Sequence, residues 1–530
     1  HDTSDNGQQI SELSFSENGQ WLVYELGGAP DGNWSTDLPV NPASYPLIPP
    51  VEIHSIDIAT GKNYLLAKDV SSPIISADSR NVLFIKNNNQ VWSVPIDSSS
   101  KGSLLFETRG NISSLRFSPD GKKIAFVAHR DDHSFIGIYS NATTPIHWID
   151  PTFSRDVSPR WSPTGDSIVF VRMPAIGGAP DSILHQYPNP WEIRIAGIHQ
   201  DKSTLLWKSP HTLRGSVPTT NGGFNLHWAA NNRIIFLSTQ DNWPHLYSIS
   251  ATGGKPLLLT PGDFMVEYIS LSPDKEHLIF SSNTGPDKLD IDRRNIGIVS
   301  VDNQNLKIIT PGEGIEAHCI FKNDNEIAFI SSNAYRPPLP ALLTLGQKKI
   351  QVIGNSLLSS VYSPKYLVDP KQVIFKSIDG TPIHGQLFIK EGGAAKKPAI
   401  LCIHGGPMRQ MQLGWNYMDY YANHYAVNQW LANHGFIVLS VNYRMGIGYG
   451  NDFHHPPHAD RRGASEYQDI LAAGEWLAKQ PEVDAKRIGV YGGSYGGFLT
   501  AMALGKNSDI FCAGVDISGV HDHAPEYPYT

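Results

Sequence analysis

The sequence predicts two domains of different class, an all-β propeller of seven blades followed by an α/β domain built on a parallel sheet. Three observations predict them: a hairpin motif recurs across residues 8–345, strands and helices alternate from residue 366 onward, and residues 492–496 read G-x-S-x-G. The 530 residues also exceed the size at which a single core stops growing. We place the boundary at residue 365, which gives domains 1–365 and 366–530.

The propeller is predicted from a Ser-Pro-Asp-Gly-like turn between two apolar strands, clearest at residues 115–127, 159–171 and 269–280. Four of the six spacings between successive turns are 42 to 50 residues, close to the length of a four-stranded blade. The seven turns lie at Ser16, Ser76, Ser118, Ser162, Ala229, Ser272 and Lys322. The two longer spacings predict insertions at residues 27–50 and 173–190, where binding loops tend to lie.

The second domain is predicted to begin with a hairpin at residues 373–389 that turns at Asp379-Gly380. The elements expected after it are a strand at 399–404, a helix at 423–433, a strand at 437–442, a helix at 465–479, a strand at 487–491, a helix at 495–504 and a strand at 513–518. This alternation predicts a parallel sheet with helices on its faces.

Ser494 is the predicted nucleophile. It stands in Gly492-Gly-Ser-Tyr-Gly496, between a buried strand and a helix, where flanking glycines allow a sharp turn that presents the serine hydroxyl. The helix that starts behind it favours negative charge at that point. The alternative is a glycine-rich turn without chemistry, but the strand-to-helix context favours the nucleophile.

Acyl transfer also needs hydrogen-bond donors for the oxyanion that forms on the attacked carbonyl. The loop His404-Gly-Gly-Pro407 follows a buried strand and matches an HGG-type oxyanion loop. We predict one backbone donor at Gly405 or Gly406, with Gly406 preferred, and the other at Tyr495. Taken alone, the loop could equally be an ordinary glycine turn.

On these motifs the chain resembles the prolyl oligopeptidase family of serine peptidases. The matching segments are His404–Pro407, Asn442–Arg444 with Gly446–Gly450, Asp484–Gly497 and Ala513–Ser518. Met445 departs from the small residue usual in the dipeptidyl and acylaminoacyl peptidase branch. The resemblance implies that the second domain is an α/β-hydrolase domain. It also implies hydrolysis of short peptides through an acyl-enzyme at Ser494, with the propeller gating access and no metal or organic cofactor.

The resemblance also places the catalytic acid and histidine well beyond the serine, whereas this chain ends at Thr530. We therefore expect neither in this chain, and expect the hydrolase domain to be incomplete at its C-terminus. Asp516 or Asp522 could supply the acid, with His521 and His523 close by, but a structural role is favoured for them. We expect a sheet that ends at Ser518 to leave an uncovered edge.

Two other functions stay open at this point. An esterase or other acyl hydrolase would use the same apparatus. A non-catalytic binding protein, with a propeller that recognises a partner and a relic hydrolase domain, is the alternative from a different class. The intact serine motif argues against the second alternative.

Several other features set expectations. The net charge of −8 argues against a nucleic-acid partner, and no apolar run reaches the ~18 residues of a membrane span. The start at His1 favours a periplasmic or secreted location over a cytoplasmic one, and a homo-oligomer stays open. We expect surface histidines in His454-His-Pro-Pro-His458, not a metal site. We also expect a solvated Glu466 and buried thiols in strands for Cys319, Cys402 and Cys512.

Overall fold

The computed structural model describes residues 9–28, 50–177, 182, 184–359 and 362–521. Most of the predicted insertion at 27–50 and residues 178–181 and 183 of the second insertion lie outside the described residues. The chain divides into two compact units, one of residues 1–180, 190–209 and 251–253, and one of residues 181–189, 210–250 and 254–530. None of the described helices is long and apolar enough to cross a membrane.

The first unit contains four antiparallel blades of four strands each. Blade 1 has β1 (Ile10–Phe15), β2 (Trp21–Leu26), β3 (Glu52–Asp57) and β4 (Asn63–Lys68). Blade 2 has β5 (Val70–Ile75), β6 (Asn81–Lys86), β7 (Gln90–Pro95) and β8 (Ser103–Glu107). Blade 3 has β9 (Asn111–Phe117), β10 (Ile124–His129), β11 (Ser134–Tyr139) and β12 (His147–Ile149). Blade 4 has β13 (Ser154–Trp161), β14 (Ser167–Pro174), β15 (Glu192–Gly197) and β16 (Thr204–Lys208).

The second unit begins with three more blades of the same order. Blade 5 has β17 (His227–Ala229), β18 (Arg233–Ser238), β19 (His245–Ser250) and β20 (Leu257–Leu258). Blade 6 has β21 (Val266–Leu271), β22 (His277–Ser282), β23 (Asn295–Ser300) and β24 (Lys307–Ile308). Blade 7 has β25 (Ile315–Asn323), β26 (Glu326–Asn333), β27 (Arg336–Thr344) and β28 (Gln351–Val352). These seven described blades agree with the seven predicted turns.

The recurring turn is held by its own side chains. In blade 3 the Ser118 hydroxyl donates to Asp120 Oδ1 at 2.6 Å and accepts from the Lys123 N–H at 2.9 Å. Gly121 follows with φ 70°, a conformation that favours glycine. Ser272 makes the same pair of contacts in blade 6. The motif is therefore a local hydrogen-bonded unit, which is why it could be recognised in the sequence.

The first strand of six blades carries a β-bulge, at which one residue has positive φ and its side chain is turned away from the ladder. The bulged residues are Glu12, Ser72, Ser114, Ser158, Tyr268 and His318. Apolar cores form between successive blades, as between Leu237 of blade 5 and Phe280 of blade 6.

The rest of the second unit is a six-stranded sheet in the order β29-β30-β32-β31-β33-β34. Its strands are β29 (Lys371–Lys376), β30 (Pro382–Phe388), β31 (Lys397–Ile403), β32 (Ile437–Asn442), β33 (Val483–Gly493) and β34 (Ala513–Ile517). Its helices are α1 (Asp419–Asn433), α2 (Asn451–His454), α3 (Ser465–Ala478) and α4 (Tyr495–Lys506). Short 3-10 turns lie at Lys288–Asp292, Asn355–Leu357, Pro364–Tyr366 and Asp460–Arg462.

The last four strands of this sheet are parallel, as predicted, and β29 and β30 form the predicted antiparallel hairpin. Apolar cores lie on both faces, one formed with α3 and α4 and one with α1. All five residues of the edge strand β34 are exposed, so the predicted uncovered edge is present. The domain boundary at residue 365 stays a prediction.

Two of the three cysteines match the expectation of buried strand thiols. Cys319 in β25 and Cys402 in β31 are buried, and burial raises the pKa of the Cys319 thiol to about 12. Cys512 is exposed and precedes β34, so the expectation was wrong there. The reason is that β34 is the uncovered edge of the sheet.

Candidate active site

Ser494 occupies the turn between β33 and α4. It caps α4 with φ 55° and ψ −120°, a strained conformation for a residue with a side chain, and it is exposed. Its N–H donates to the Ile517 carbonyl at 3.0 Å, and its carbonyl accepts from the Phe498 N–H at 3.0 Å. The backbone on both sides therefore fixes a turn that holds this serine at the surface.

Two glycines of the motif are required by close backbone contact. A Cβ at Gly492 would lie 2.6 Å from the Ile403 carbonyl oxygen, and a Cβ at Gly496 would lie 2.3 Å from the same atom. Both distances are far below van der Waals contact, so no side chain fits at either position. Because Ile403 ends β31, these contacts press the serine turn against the loop that follows that strand.

That loop begins with His404 and reaches the serine. A Cβ at Gly405 would lie 3.2 Å from Ser494 Cβ, and Gly406 has φ 113°, which strongly favours glycine. The structure therefore brings the predicted oxyanion loop and the predicted nucleophile together, although they are about ninety residues apart in sequence.

His404 supports this loop from inside the protein. It is fully buried and stacks on the Tyr443 ring at 4.3 Å, and the Tyr443 hydroxyl donates to the His404 carbonyl at 2.7 Å. Burial lowers the pKa of His404 to about 4, so the ring is neutral at physiological pH. Its Nδ1 lies 3.0 Å from the Gly405 carbonyl, which assigns the proton to Nδ1.

Two further side chains contact the loop from outside. Arg409 packs on Gly406, because a Cβ there would lie 2.9 Å from Arg409 Cγ. The Tyr421 hydroxyl interacts with the Gly405 N–H and with Arg409; burial raises the pKa of Tyr421, and these two donors oppose that shift. No motif marks Arg409 or Tyr421, so sequence reasoning missed both.

Tyr420 was missed as well. A Cβ at Gly493 would lie 2.1 Å from the Tyr420 hydroxyl oxygen, so the phenol fills the place of a side chain next to Ser494. Its ring packs on Tyr421 and on His424, at 5.2 Å and 4.8 Å between centroids. The run of aromatic residues at the start of α1 is the signal that could have indicated it.

Glu466 corrects an expectation. It was expected to be solvated, but it is buried on α3, and its Oε1 accepts from the Tyr495 hydroxyl at 2.9 Å. Burial raises the pKa of Glu466, while the Tyr495 hydroxyl and the Asp460 N–H oppose that rise. The residue is buried because the ring of Tyr495 turns back toward α3 instead of toward solvent. Glu466 therefore anchors the side chain of a predicted oxyanion donor.

The two alternative acids differ in outcome. Asp516 is on β34 and pairs with His521 at 2.6 Å between Oδ2 and Nε2, at an exposed position. A Cβ at Gly497 would lie 2.4 Å from Asp516 Oδ1, so this carboxylate is near the start of α4. Asp522 and His523 lie outside the described residues. Among the residues that are described, Ser494 makes no hydrogen bond with a histidine side chain.

The histidine cluster at 454–458 also differs from expectation, because His454 is buried and not on the surface. The Thr219 hydroxyl bridges the Nε2 atoms of His454 and His455, at 3.0 Å and 3.2 Å. The Met445 carbonyl lies 2.9 Å from the other ring nitrogen of His454. Burial lowers the pKa of His455 to about 3, so it stays neutral. These rings pack between α2 and a loop of blade 5.

A separate pocket of about 700 Å³ lies in the second unit, and its lining includes neither Ser494 nor the His404–Pro407 loop. It is mostly apolar, with Trp243, Ile378 and Phe453 in its wall. The one serine in its lining, Ser465, has a hydroxyl without a hydrogen-bond partner among the described residues, so this pocket holds no pair of nucleophile and base.

Comparisons with known proteins agree with this geometry. The family model described as the prolyl oligopeptidase family matches residues 423–527. The model described as the dipeptidyl peptidase IV N-terminal region matches residues 201–339. A dipeptidyl aminopeptidase BIII from Pseudoxanthomonas mexicana is 37% identical over 125 residues, which is 24% of this chain. The chain covers only 17% of the length of that relative.

Solved structures share the fold. Dipeptidyl peptidase 4 from Porphyromonas gingivalis aligns with a TM-score of 0.72 at 16% identity, over 97% of this chain and 76% of that one. A puromycin-hydrolyzing peptidase from Mycobacterium tuberculosis aligns with a TM-score of 0.67 at 16% identity, over 97% of this chain and 78% of that one. The predicted combination of propeller and α/β-hydrolase fold is confirmed, and so is the predicted resemblance to the prolyl oligopeptidase family of serine peptidases.

Proposed function

We propose that the protein hydrolyses short peptides through an acyl-enzyme formed on Ser494. The observation that carries the proposal is the exposed, strained Ser494 held against the His404–Pro407 loop. A hydroxyl in this position attacks the scissile carbonyl, and the nearby backbone N–H groups bind the oxyanion that develops. Among the relatives are proteins named as dipeptidyl peptidases, which supports a peptide rather than another acyl compound as the substrate of this protein.

The oxyanion donors are the N–H groups of Tyr495 and Gly406. Tyr495 is the first residue of α4, and the first N–H groups of a helix have no partner within it. Gly406 is preferred over Gly405 as the second donor, as the HGG-type loop predicts. Removing one donor of this kind typically lowers kcat by about 100-fold or more.

The general base and the acid that orients it are not assigned within this chain. His521 turns its Nε2 toward Asp516, and the pair is exposed on the loop after β34. A base must come within hydrogen-bond reach of the serine hydroxyl. The Asp516–His521 contact is therefore treated as structural. A homo-oligomer and a periplasmic or secreted location also stay predictions.

A fluorophosphonate probe tests the nucleophile in the full-length protein. We expect labelling of the wild type and of the Ser508→Ala control, whose serine is exposed on the loop after α4. We expect no labelling of Ser494→Ala. Equal labelling of Ser494→Ala would overturn the assignment of the nucleophile.

A substrate panel tests the reaction. We expect hydrolysis of free-amine dipeptidyl, N-acylated or internally blocked short peptides, with the preferred class separating exopeptidase from endopeptidase action. Turnover of aryl esters with none of any peptide would show an esterase instead. Absence of turnover and of labelling would favour a binding protein.

A further inference from the structure

Arg409 is an arginine at the site with no role so far. It is half-buried, it follows the oxyanion loop by two residues, and its aliphatic stem packs on Gly406. Its Nη1 donates to the Met408 carbonyl at 2.7 Å, while its Nε is buried and has no partner. Its guanidinium group therefore retains donors that the protein does not use.

The charge of Arg409 is also uncompensated. Two other buried arginines of the same unit have carboxylate partners, Arg294 with Glu267 at 2.5 Å and Arg444 with Asp469 at 2.7 Å. Arg409 forms no ion pair with any carboxylate whose side chain the structure describes. A partly desolvated cation without a counter-charge is costly unless something outside the chain neutralises it.

The groups around Arg409 are neutral. The Tyr421 hydroxyl interacts with it directly, and Tyr443, the neutral His404 and Tyr268 lie within its electrostatic reach. Tyr268 is the bulged residue of β21 in blade 6. None of these groups supplies negative charge at physiological pH, since burial raises the pKa of each of the three tyrosines.

The distance to the nucleophile limits what the site can bind. Arg409 packs on Gly406, and the neighbouring Gly405 packs on Ser494, so these two contacts link Arg409 to the serine. With about 3.8 Å between neighbouring Cα atoms, they place Arg409 Cγ within about 13 Å of the Ser494 side chain. The guanidinium and the group that it binds extend beyond Cγ, and an extended peptide covers about 3.3–3.6 Å per residue, so that group lies within about six residues of the scissile bond.

We propose that Arg409 binds a carboxylate of the peptide substrate, either the free C-terminal carboxylate or an acidic side chain. This inference rests on the proposed peptidase function and adds to it the charge of the substrate. Guanidinium binds carboxylate through two parallel N–H donors, and such charge-assisted bonds are shorter and stronger than neutral ones. The bound carboxylate supplies the counter-charge that the described side chains do not provide.

The test compares matched substrates on the full-length protein. One pair is a short peptide with a C-terminal carboxylate and its C-terminal amide, and the other pair replaces a glutamate by glutamine near the scissile bond. We expect a higher kcat/KM for one carboxylate member, which identifies the source. In Arg409→Gln we expect this preference to fall about 10- to 100-fold. Arg409→Lys keeps the positive charge but not the two parallel N–H donors, so this variant should retain an intermediate preference.

Controls and alternative outcomes distinguish carboxylate recognition from a general effect on the loop and from failure of the proposed function. The control Arg487→Gln, which removes an exposed arginine paired with Asp484, should keep the full preference. Equal loss on charged and neutral substrates in Arg409→Gln would overturn carboxylate recognition and indicate a general effect on the loop. Absence of hydrolysis of every peptide by the wild type would instead overturn the peptidase function, and unchanged hydrolysis by Ser494→Ala would overturn the nucleophile. Added salt should reduce the preference, because a partly exposed ion pair is screened.

Discussion

Blade 6 and the loop after β31 differ in how the charge of an arginine is compensated. Arg294 of blade 6 is fully buried, pairs with Glu267, and also donates to Gln410 at 2.6 Å, while the Tyr417 hydroxyl binds the same carboxylate at 2.9 Å. Arg409, near Ser494, has no such partner among the carboxylates whose side chains the structure describes. A charge that is matched inside the chain holds the structure together, whereas one that is left unmatched beside a reactive group is available to a substrate.

The first prediction concerns the matched charge. Arg294→Met should lower the free energy of unfolding by about 3–5 kcal/mol, because Glu267 stays buried without its partner. Urea unfolding of the purified protein measures this. Replacing both residues by apolar ones should recover most of the loss, and a single-variant loss below about 1 kcal/mol would remove the contrast with Arg409.

The second prediction concerns the backbone at the site. Gly496→Ala should slow fluorophosphonate labelling at least 100-fold, since the new Cβ would lie 2.3 Å from the Ile403 carbonyl. The control is Gly505→Ala, near the end of α4, where a Cβ meets no atom within 4 Å. That variant should label normally. Comparable labelling of both variants would contradict the contact.

The third prediction concerns a buried carboxyl in blade 7. Burial raises the pKa of Glu316 to about 8, so between pH 4.5 and 8 the unfolded chain ionises while the folded chain keeps the proton. Stability therefore falls as pH rises through this window. Glu316→Gln should gain on the order of 2 kcal/mol over the wild type at pH 8 and little at pH 4.5.

Its control is Glu326→Gln on the next strand, where Lys322 lowers the pKa of the carboxyl. A lowered pKa places any pH dependence below about pH 4.5, so this variant should track the wild type across the tested window. Denaturant midpoints at both pH values decide the matter. A flat difference for Glu316→Gln would show that this carboxyl is ionised in the fold.

The smallest effect is expected where a structural contact supports the site. Tyr495→Phe should lower kcat by up to about 10-fold, with little change in KM. The substitution removes the hydroxyl that donates to Glu466, and this hydrogen bond holds the side chain and thereby the backbone of residue 495. Glu466→Gln, which retains an acceptor, should be milder than Glu466→Ala. Additive effects of Tyr495→Phe and Glu466→Ala would mean that the two residues act independently.

Local patterns made much of the fold predictable. The strand Ile437–Asn442 was predicted with its observed bounds, and the helix predicted at 465–479 is observed as Ser465–Ala478. Both are strongly apolar or periodic segments. The helix predicted to start at 423 begins at Asp419, because no capping side chain marks its start and its first turn is aromatic. The turn at Ser494, which glycines flank on both sides, was also predictable from the sequence.

The surroundings of the site were not predictable, because they depend on contacts between distant segments. Glu466 looks solvated in sequence, yet Tyr495 folds back to bury it. Nothing near Arg409 in sequence shows that it lacks a carboxylate, since its neighbours come from β21 and α1. Patterns of one segment reveal elements and turns, whereas charge balance emerges only after packing.

The conformation of Ser494 has a further consequence for heat tolerance. A residue with a side chain at φ 55° and ψ −120° carries about 1–3 kcal/mol of unfavourable energy, which glycine would largely escape. Selection for thermal stability alone would therefore favour glycine at position 494, and the proposed nucleophile would be lost. The proposed nucleophile is therefore also a position that lowers thermal stability, and stabilising substitutions should be made elsewhere in the chain.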